Sequence, residues 1–496
     1  MTRPMILTLD GAPFPAPLVS ALSGLSLHQS LGAPAALEIE LAFHRPDLPQ
    51  ALRAGVQIGL SVRGAPEPLF SGEVTDIALS YSAGGPPVAT ITARDGMQAL
   101  ACRQSMLALR DMSAADLAAH LAGELGLDSH CPEDAPVHGL ILQQQQTDLD
   151  LLADVAAGAG LYPVLRGGTL VLMSLAGDSD DAVALRPDEG LHALRVTSRA
   201  GQWLPSVRIA GRDRLTLQNR QAQVATARQD QVEMRDPGPV TGHSPRHLLN
   251  HATDSDAGAE ALAAASLERA LARTVVAEGL AEGDARLIPG RIIRLEGVDA
   301  GLGGQYVLTR TTHRLTAAQG YVTEFSTEPP QRPASPAATT TSIGQVLAVD
   351  DPARLGRCQV QLADLGLAEG VWMHVVAAGA GPRRGVAALP DPGDQVLVLL
   401  PQGDPSFGLV IGGLYGEQAL PQRATDTPRG IVLRSGDGQS VHLSGKGGRL
   451  HLSNREGSVL DLSPGRMRMA AAGDLLIEAP GRTLTIRAAA INFEKG

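Results

Sequence analysis

Eight short runs near the carboxyl end decide how this chain reads: Ile431-Val-Leu433, Val441-His-Leu443, Leu450-His-Leu452, Val459-Leu-Asp-Leu462, Met467-Arg-Met469, Leu475-Leu-Ile477, Leu484-Thr-Ile486 and Ile491-Asn-Phe493. Their first residues lie 10, 9, 9, 8, 8, 9 and 7 positions apart, with Gly, Ser, Asp, Asn and Arg between them. Alternation at this scale marks β rungs, each with two or three apolar side chains on one side. So even a period predicts a solenoid or β-helix. One chain of such rungs would be a thin ribbon, marginal on its own. Three copies wound about a shared axis would enclose the apolar side chains and leave no unpaired strand edge. The expected three-fold core is Ile431, Leu433, Val441, Leu443, Leu450, Leu452, Leu460, Leu462, Met467, Met469, Leu475, Ile477, Leu484 and Ile486. The competing arrangement is a plain antiparallel meander ending a monomer, which the evenness of the spacing argues against.

Working outward, residues 343–416 contain five strand-like runs: Gly344–Val349, Arg357–Leu362, Val371–Val376, Gln395–Leu400 and Gly408–Gly412. Five short strands in so few residues predict a closed Greek-key barrel of the OB type. Residues 417–430 form a neck before the rungs. Residues 331–342, rich in Pro, Ala and Thr, form a linker.

The first 330 residues form one large unit. Alternating runs at Leu37–Leu41, Val56–Val62, Ser71–Ile77 and Val88–Ala93 predict antiparallel strands. A helix is expected from Ser113, with Asp116 three residues after the cap, and another from Thr147. A hairpin follows at Leu161–Leu165 and Leu170–Met173. The Ala-rich stretch carrying Leu262, Leu267, Leu271 and Val275 predicts a lone helix, after which strands return at Arg291–Leu295, Gln305–Thr309 and Gly320–Phe325.

Bulk properties exclude several function classes. Among 496 residues the formal net charge is −11 and only 13 side chains are Phe, Trp or Tyr, so small aliphatics must do the packing. An acidic chain with no basic run argues against phosphate-driven nucleic-acid binding. The barrel itself sets four arginines, Arg354, Arg357, Arg383 and Arg384, against seven acidic residues. Cys102, Cys131 and Cys358 make no metal-ligand or disulfide spacing and are expected to be buried thiols from a reducing compartment. Neither a signal peptide nor a membrane span is expected.

The barrel carries Gly344-Gln-Val with Gly356-Arg-Cys-Gln-Val, Val371-Trp-Met-His-Val, Leu389-Pro-Asp-Pro-Gly-Asp-Gln-Val, Gly403-Asp-Pro405 and Val410-Ile-Gly-Gly-Leu-Tyr415. In this order these segments resemble the VgrG family of spike proteins and its relatives in phage tails and extracellular contractile injection systems. In the first unit, Phe70-Ser-Gly-Glu-Val74, Gln146-Thr-Asp-Leu-Asp-Leu-Leu152, Leu287-Ile-Pro-Gly290 and Tyr306–His313 are similar to that family's hub. The resemblance implies a mainly β fold with tail-hub β-barrels and inserted helices, an OB-fold barrel and a trimeric β-helix needle. It further implies a homotrimer joining a six-fold inner tube and baseplate to the needle, which would meet the target cell envelope on firing. A PAAR-type tip protein would sit on Ile491 and Phe493. No lysozyme domain is expected between Glu417 and Arg429, and no effector domain after Gly496. Assembly into a particle made in the cytoplasm, and possible release with it, are also implied.

Candidate chemistry is sparse. His243, His247 and His251 recur every four residues as helical metal ligands would. However, Ser244-Pro245 reads as a helix start that leaves His243 outside, so a surface loop is expected. Asp254-Ser-Asp256-Ala-Gly258 imitates the opening of a calcium loop but lacks the closing Glu. Gly445-Lys446-Gly447 lacks the rest of a phosphate loop. No catalytic, metal or cofactor residue is assigned, and the chain reads as a non-enzyme. A cell-wall hydrolase on the same scaffold and a surface adhesin fibre are the rival functions.

Overall fold

The computed structural model describes residues 5–43, 52–83, 85–143, 145–177, 182–213, 216–227, 243–253, 255–299, 301–331, 339–365, 369–381, 384–416, 430–444 and 447–495. Most of the expected linker and nearly all of the expected neck fall outside these residues. The chain divides into two compact units, 1–392 with 397–411, and 393–396 with 412–496.

In the first unit an 11-stranded sheet runs in the order Leu191–Ser198, Val275–Glu282, Gly320–Ser326, Arg310–Thr316, Leu22–Ser30, Ala33–Ala42, Val88–Arg94, Phe70–Ser80, Gln57–Val62, Met5–Leu9, Ala12–Pro13. Alternation explains it: Leu37, Ile39 and Leu41 are fully buried while Glu38 and Glu40 face out. Pairing of Arg310–Thr316 with Leu22–Ser30 joins strands almost 300 residues apart into one sheet. The glycine in Phe70-Ser-Gly-Glu-Val74 has a packing reason. A Cβ on Gly72 would stand 2.2 Å from the Arg94 carbonyl oxygen and 2.6 Å from the Phe70 ring.

Helices Ala114–Glu124 and Asp148–Gly158 pack with the hairpin Tyr162–Arg166 and Thr169–Met173 around Leu117, Leu121, Leu152 and Leu170. Both start at a side-chain cap. Ser113 and Asp116 form a reciprocal capping box, and Thr147 accepts from the Asp150 N–H. The helix Asp256–Ala272 covers a three-stranded sheet of Val207–Asp213, Asn219–Val224 and Arg246–Thr253. It ends before Val275, which starts the strand Val275–Glu282 instead of continuing the helix. Thr274 and the Val275–Val276 pair are β-branched and favour the pleated state.

The predicted OB barrel is present: Thr340–Ala348, Arg357–Gln361, Val371–Val375, Leu409–Leu414 and Gln395–Leu400 close in that order. Val346, Cys358, Val360, Met373, Val396, Val398 and Val410 fill it. A Cβ on Gly344 would meet the Val360 side chain at 2.3 Å, which accounts for glycine in the barrel's opening motif. Arg110 of the first unit's Ala108–Met112 strand donates to the Gly370 carbonyl of the barrel at 3.1 Å. Of the cysteines, only Cys358 is buried. Cys102 is exposed at the end of the helix Met97–Cys102 and Cys131 is half-buried, against the expectation for these two.

The carboxyl-terminal rungs correct the expected winding. Within one chain the first five, Ile431–Arg434, Ser440–Leu443, Leu450–Ser453, Val459–Ser463 and Arg466–Ala470, pair as an antiparallel meander. Their connections are hairpin-length, and Gly438, Gly457 and Gly465 take positive φ at the turns, so the chain reverses rather than advancing as a solenoid. The runs at 475–477, 484–486 and 491–493 pair with no other strand of the chain among the described residues.

Candidate assembly face

Cross-strand partners share a face of a sheet, so the meander's register sorts its side chains. Ile431 lies opposite Leu443, Leu433 opposite Val441, Val441 opposite Leu452, and Leu443 opposite Leu450. Leu450 then meets Leu462, Leu452 meets Leu460, Leu460 meets Met469, and Leu462 meets Met467. These ten apolar side chains occupy one face. Among the described residues nothing within the chain covers that face: Leu433 is 62% exposed and Met467 66%. Beyond it Leu475, Ile477, Leu484, Ile486 and Ile491 are at least half exposed, and Phe493 is 94% exposed. A sheet with one apolar face is stable in water when a second layer covers it, and an uncovered patch of this kind marks an interaction surface.

The opposite face is polar and internally paired. Arg449 donates to both Asp461 oxygens, from Nε at 3.0 and 3.1 Å, and His451 Nδ1 lies 3.2 Å from Asp461. The Arg449 hydrogen bond, with a smaller contribution from His451, holds the Asp461 carboxyl down to about 2. No such polar pairing occurs on the apolar face among the described residues.

Among the described residues none of the weighed chemical motifs assembles a reaction centre. His243 stacks on Trp203 with ring centroids 5.0 Å apart. His247 and His251 stand on the strand Arg246–Thr253, opposite Arg208 and Gly211, not on a helix or in a surface loop. Pro245 precedes a strand there, which its fixed φ permits as readily as a helix start. Among the described residues no group of three ligating side chains is brought together. Of the calcium-like stretch, Asp254 lies outside the described residues, Ser255 caps the helix Asp256–Ala272 by accepting from the Gly258 N–H at 3.0 Å, and Asp256 pairs with Arg220 at 2.6 Å. Gly445 and Lys446 also lie outside the described residues. Sequence reading missed the polar row of His442, His451 and Asp461. Its signal was the histidine at the centre of two neighbouring rungs.

The family model of the phage tail baseplate hub matches residues 14–319, more than half of the chain. The chain belongs to the phage tail baseplate hub family. In this hub protein residues 342–415 match a second model, the type VI secretion system and phage-baseplate injector OB domain. Among solved structures, the VgrG-containing PdpA–VgrG complex of Francisella is similar with a TM-score of 0.58 at 7% identity, over 95% of this chain and 88% of that one. The E. coli c3393 protein, described as a type VI secretion component structurally similar to T4 tail proteins gp27 and gp5, has a TM-score of 0.51 at 14% identity, over 82% of this chain and 99% of that one. The 43 kDa tail protein of Shewanella oneidensis prophage MuSo2 has a TM-score of 0.50 at 17% identity, over 66% of this chain and 98% of that one. These likenesses are of fold. No curated protein matches the chain significantly.

Proposed function

We propose that this hub protein is the non-enzymatic central spike of a contractile injection machine, acting as a homotrimer. Residues 1–330 adapt the six-fold inner tube and baseplate, and 331–342 link them to the OB barrel of 343–416. A neck of 417–430 then leads to the piercing needle of 431–496. The observation that carries the reading is the ten-side-chain apolar face, uncovered in one chain and attached to a baseplate hub and an injector OB domain. Three copies, each laying that face against its neighbours, would remove it from water. Five of the ten side chains, Ile431, Leu433, Leu443, Met467 and Met469, are 41–66% exposed and the other five are partly buried, so covering the face would stabilise the trimer by on the order of 5 kcal/mol per chain. A PAAR-type tip protein then finds its seat on Ile491 and Phe493, and on firing the needle meets the target envelope.

The work is mechanical: contraction of the sheath drives the tube, and the needle concentrates the force. That requires slow forced unfolding, a kinetic property which interlocked chains provide. Gold-labelled chain, viewed by negative-stain microscopy in contractile particles purified from cells expressing it, is expected on the particle axis at the baseplate end. Label distributed along the sheath, or particles formed at full yield without the chain, would overturn the reading.

A further inference from the structure

The outward face of the needle meander carries a row that needle assembly leaves unused. His442 and His451 are direct cross-strand partners, and Asp461 stands opposite His451 on the next strand. Opposed residues in an antiparallel pair have Cβ atoms about 4.5–5.5 Å apart. Two imidazoles can close that gap around one ion at metal–nitrogen distances of about 2.0–2.1 Å. His451 has its Nδ1 3.2 Å from Asp461, and Asp461 is itself gripped by Arg449. A carboxylate on one ring nitrogen fixes the ring and makes the other nitrogen a better ligand. Across the strand, His442 Nε2 is shielded from solvent and has no hydrogen-bond partner. A buried ring nitrogen without a partner calls for an explanation, and a metal ion supplies one.

We propose that His442 and His451 form a two-imidazole site for a divalent transition metal of the Zn2+ class, completed by water. Asp461 orients His451 and does not ligate, since no third ligand joins the pair among the described residues. Imidazole donors select Zn2+, Ni2+ or Cu2+ over Mg2+ and Ca2+. A bound ion would pin Ser440–Leu443 to Leu450–Ser453 from the face opposite the apolar one. The site rests on strand register alone and stands whether or not three copies assemble.

The test is calorimetric titration of ZnCl2 into the full chain carrying no polyhistidine tag, compared with His442→Ala, His442→Gln, His451→Ala and Asp461→Asn. Circular dichroism establishes that each variant is folded as the parent is. The chain has 13 histidines, so the readout is the site lost between parent and variant. One Zn2+ site per chain is expected in the parent, absent in all three histidine variants and weakened about 10- to 100-fold in Asp461→Asn. No Zn2+ binding by the parent, or equal binding by the histidine variants, would overturn the site. Unchanged affinity in Asp461→Asn would overturn the orienting role.

Discussion

Asp95 accepts from the Ala35 and Met97 N–H groups at 3.0 and 3.1 Å, tying the end of the strand Val88–Arg94 to the neighbouring strand and to the helix that follows. Burial pushes its carboxyl up to about 6, although those two hydrogen bonds pull the other way. In the same large sheet His313 is fully buried, its Nδ1 within 3.0 Å of the Tyr321 hydroxyl and 3.1 Å of that of Thr323, and burial holds the imidazole down to about 4. The two groups affect stability with opposite sign. Folded Asp95 binds its proton more tightly than the unfolded carboxyl, so its contribution falls as pH rises from about 4 to 6. Folded His313 binds its proton less tightly than the unfolded imidazole, so its contribution falls as pH drops from about 6.5 to 4. A tenfold difference in proton affinity between the folded and unfolded states corresponds to about 1.4 kcal/mol, and the two residues together flatten the pH response. Denaturant midpoints at pH 4.5, 5.5 and 6.5 should show Asp95→Asn losing stability on acidification more steeply than the parent. His313→Gln should lose less. Parallel profiles for all three proteins would contradict this assignment. Neither residue was legible in the sequence, because burial of a lone Asp or His depends on which distant strands cover it.

At the scale of elements, local chemistry made much legible. The Ser113 and Thr147 caps, the hairpin at 161–173 and the five barrel strands follow from alternation and capping, which are encoded within a few residues. Pairing order was not legible: the insertion of Arg310–Thr316 beside Leu22–Ser30 is set by packing across the whole unit. In the carboxyl-terminal meander, alternation told which side chains share a face, since that depends only on period. It did not tell winding, because turn conformation at Gly438, Gly457 and Gly465 decides whether a strand returns or advances. The face itself makes a prediction. Leu452→Asp combined with Ile477→Asp places a carboxylate in two rungs of the proposed trimer core, and an unpaired buried charge costs several kcal/mol per chain. Native mass spectrometry at micromolar concentration should show the double variant falling to single chains while the hub and barrel stay folded. A variant that kept the parent's assembly and heat resistance would refute the proposed core.

For the molecule as a whole, two kinds of surface stand out. The hub and barrel each enclose an apolar core within one chain, around Leu37, Ile39, Ile58, Leu60 and Ile91 in the sheet and Val346, Val360 and Val398 in the barrel. The carboxyl-terminal segment encloses no such core among the described residues and shows water a contiguous row of Leu, Ile and Met side chains, the mark of an interaction surface. In the proposed trimer each copy would lay this strip against its neighbours and take it out of water. The most direct test of this is the mass of the full chain in dilute solution, by sedimentation or mass photometry. A species of three times the 51.5 kDa chain mass, persisting to nanomolar concentration, is what the account predicts; a fully folded single copy under the same conditions would contradict it.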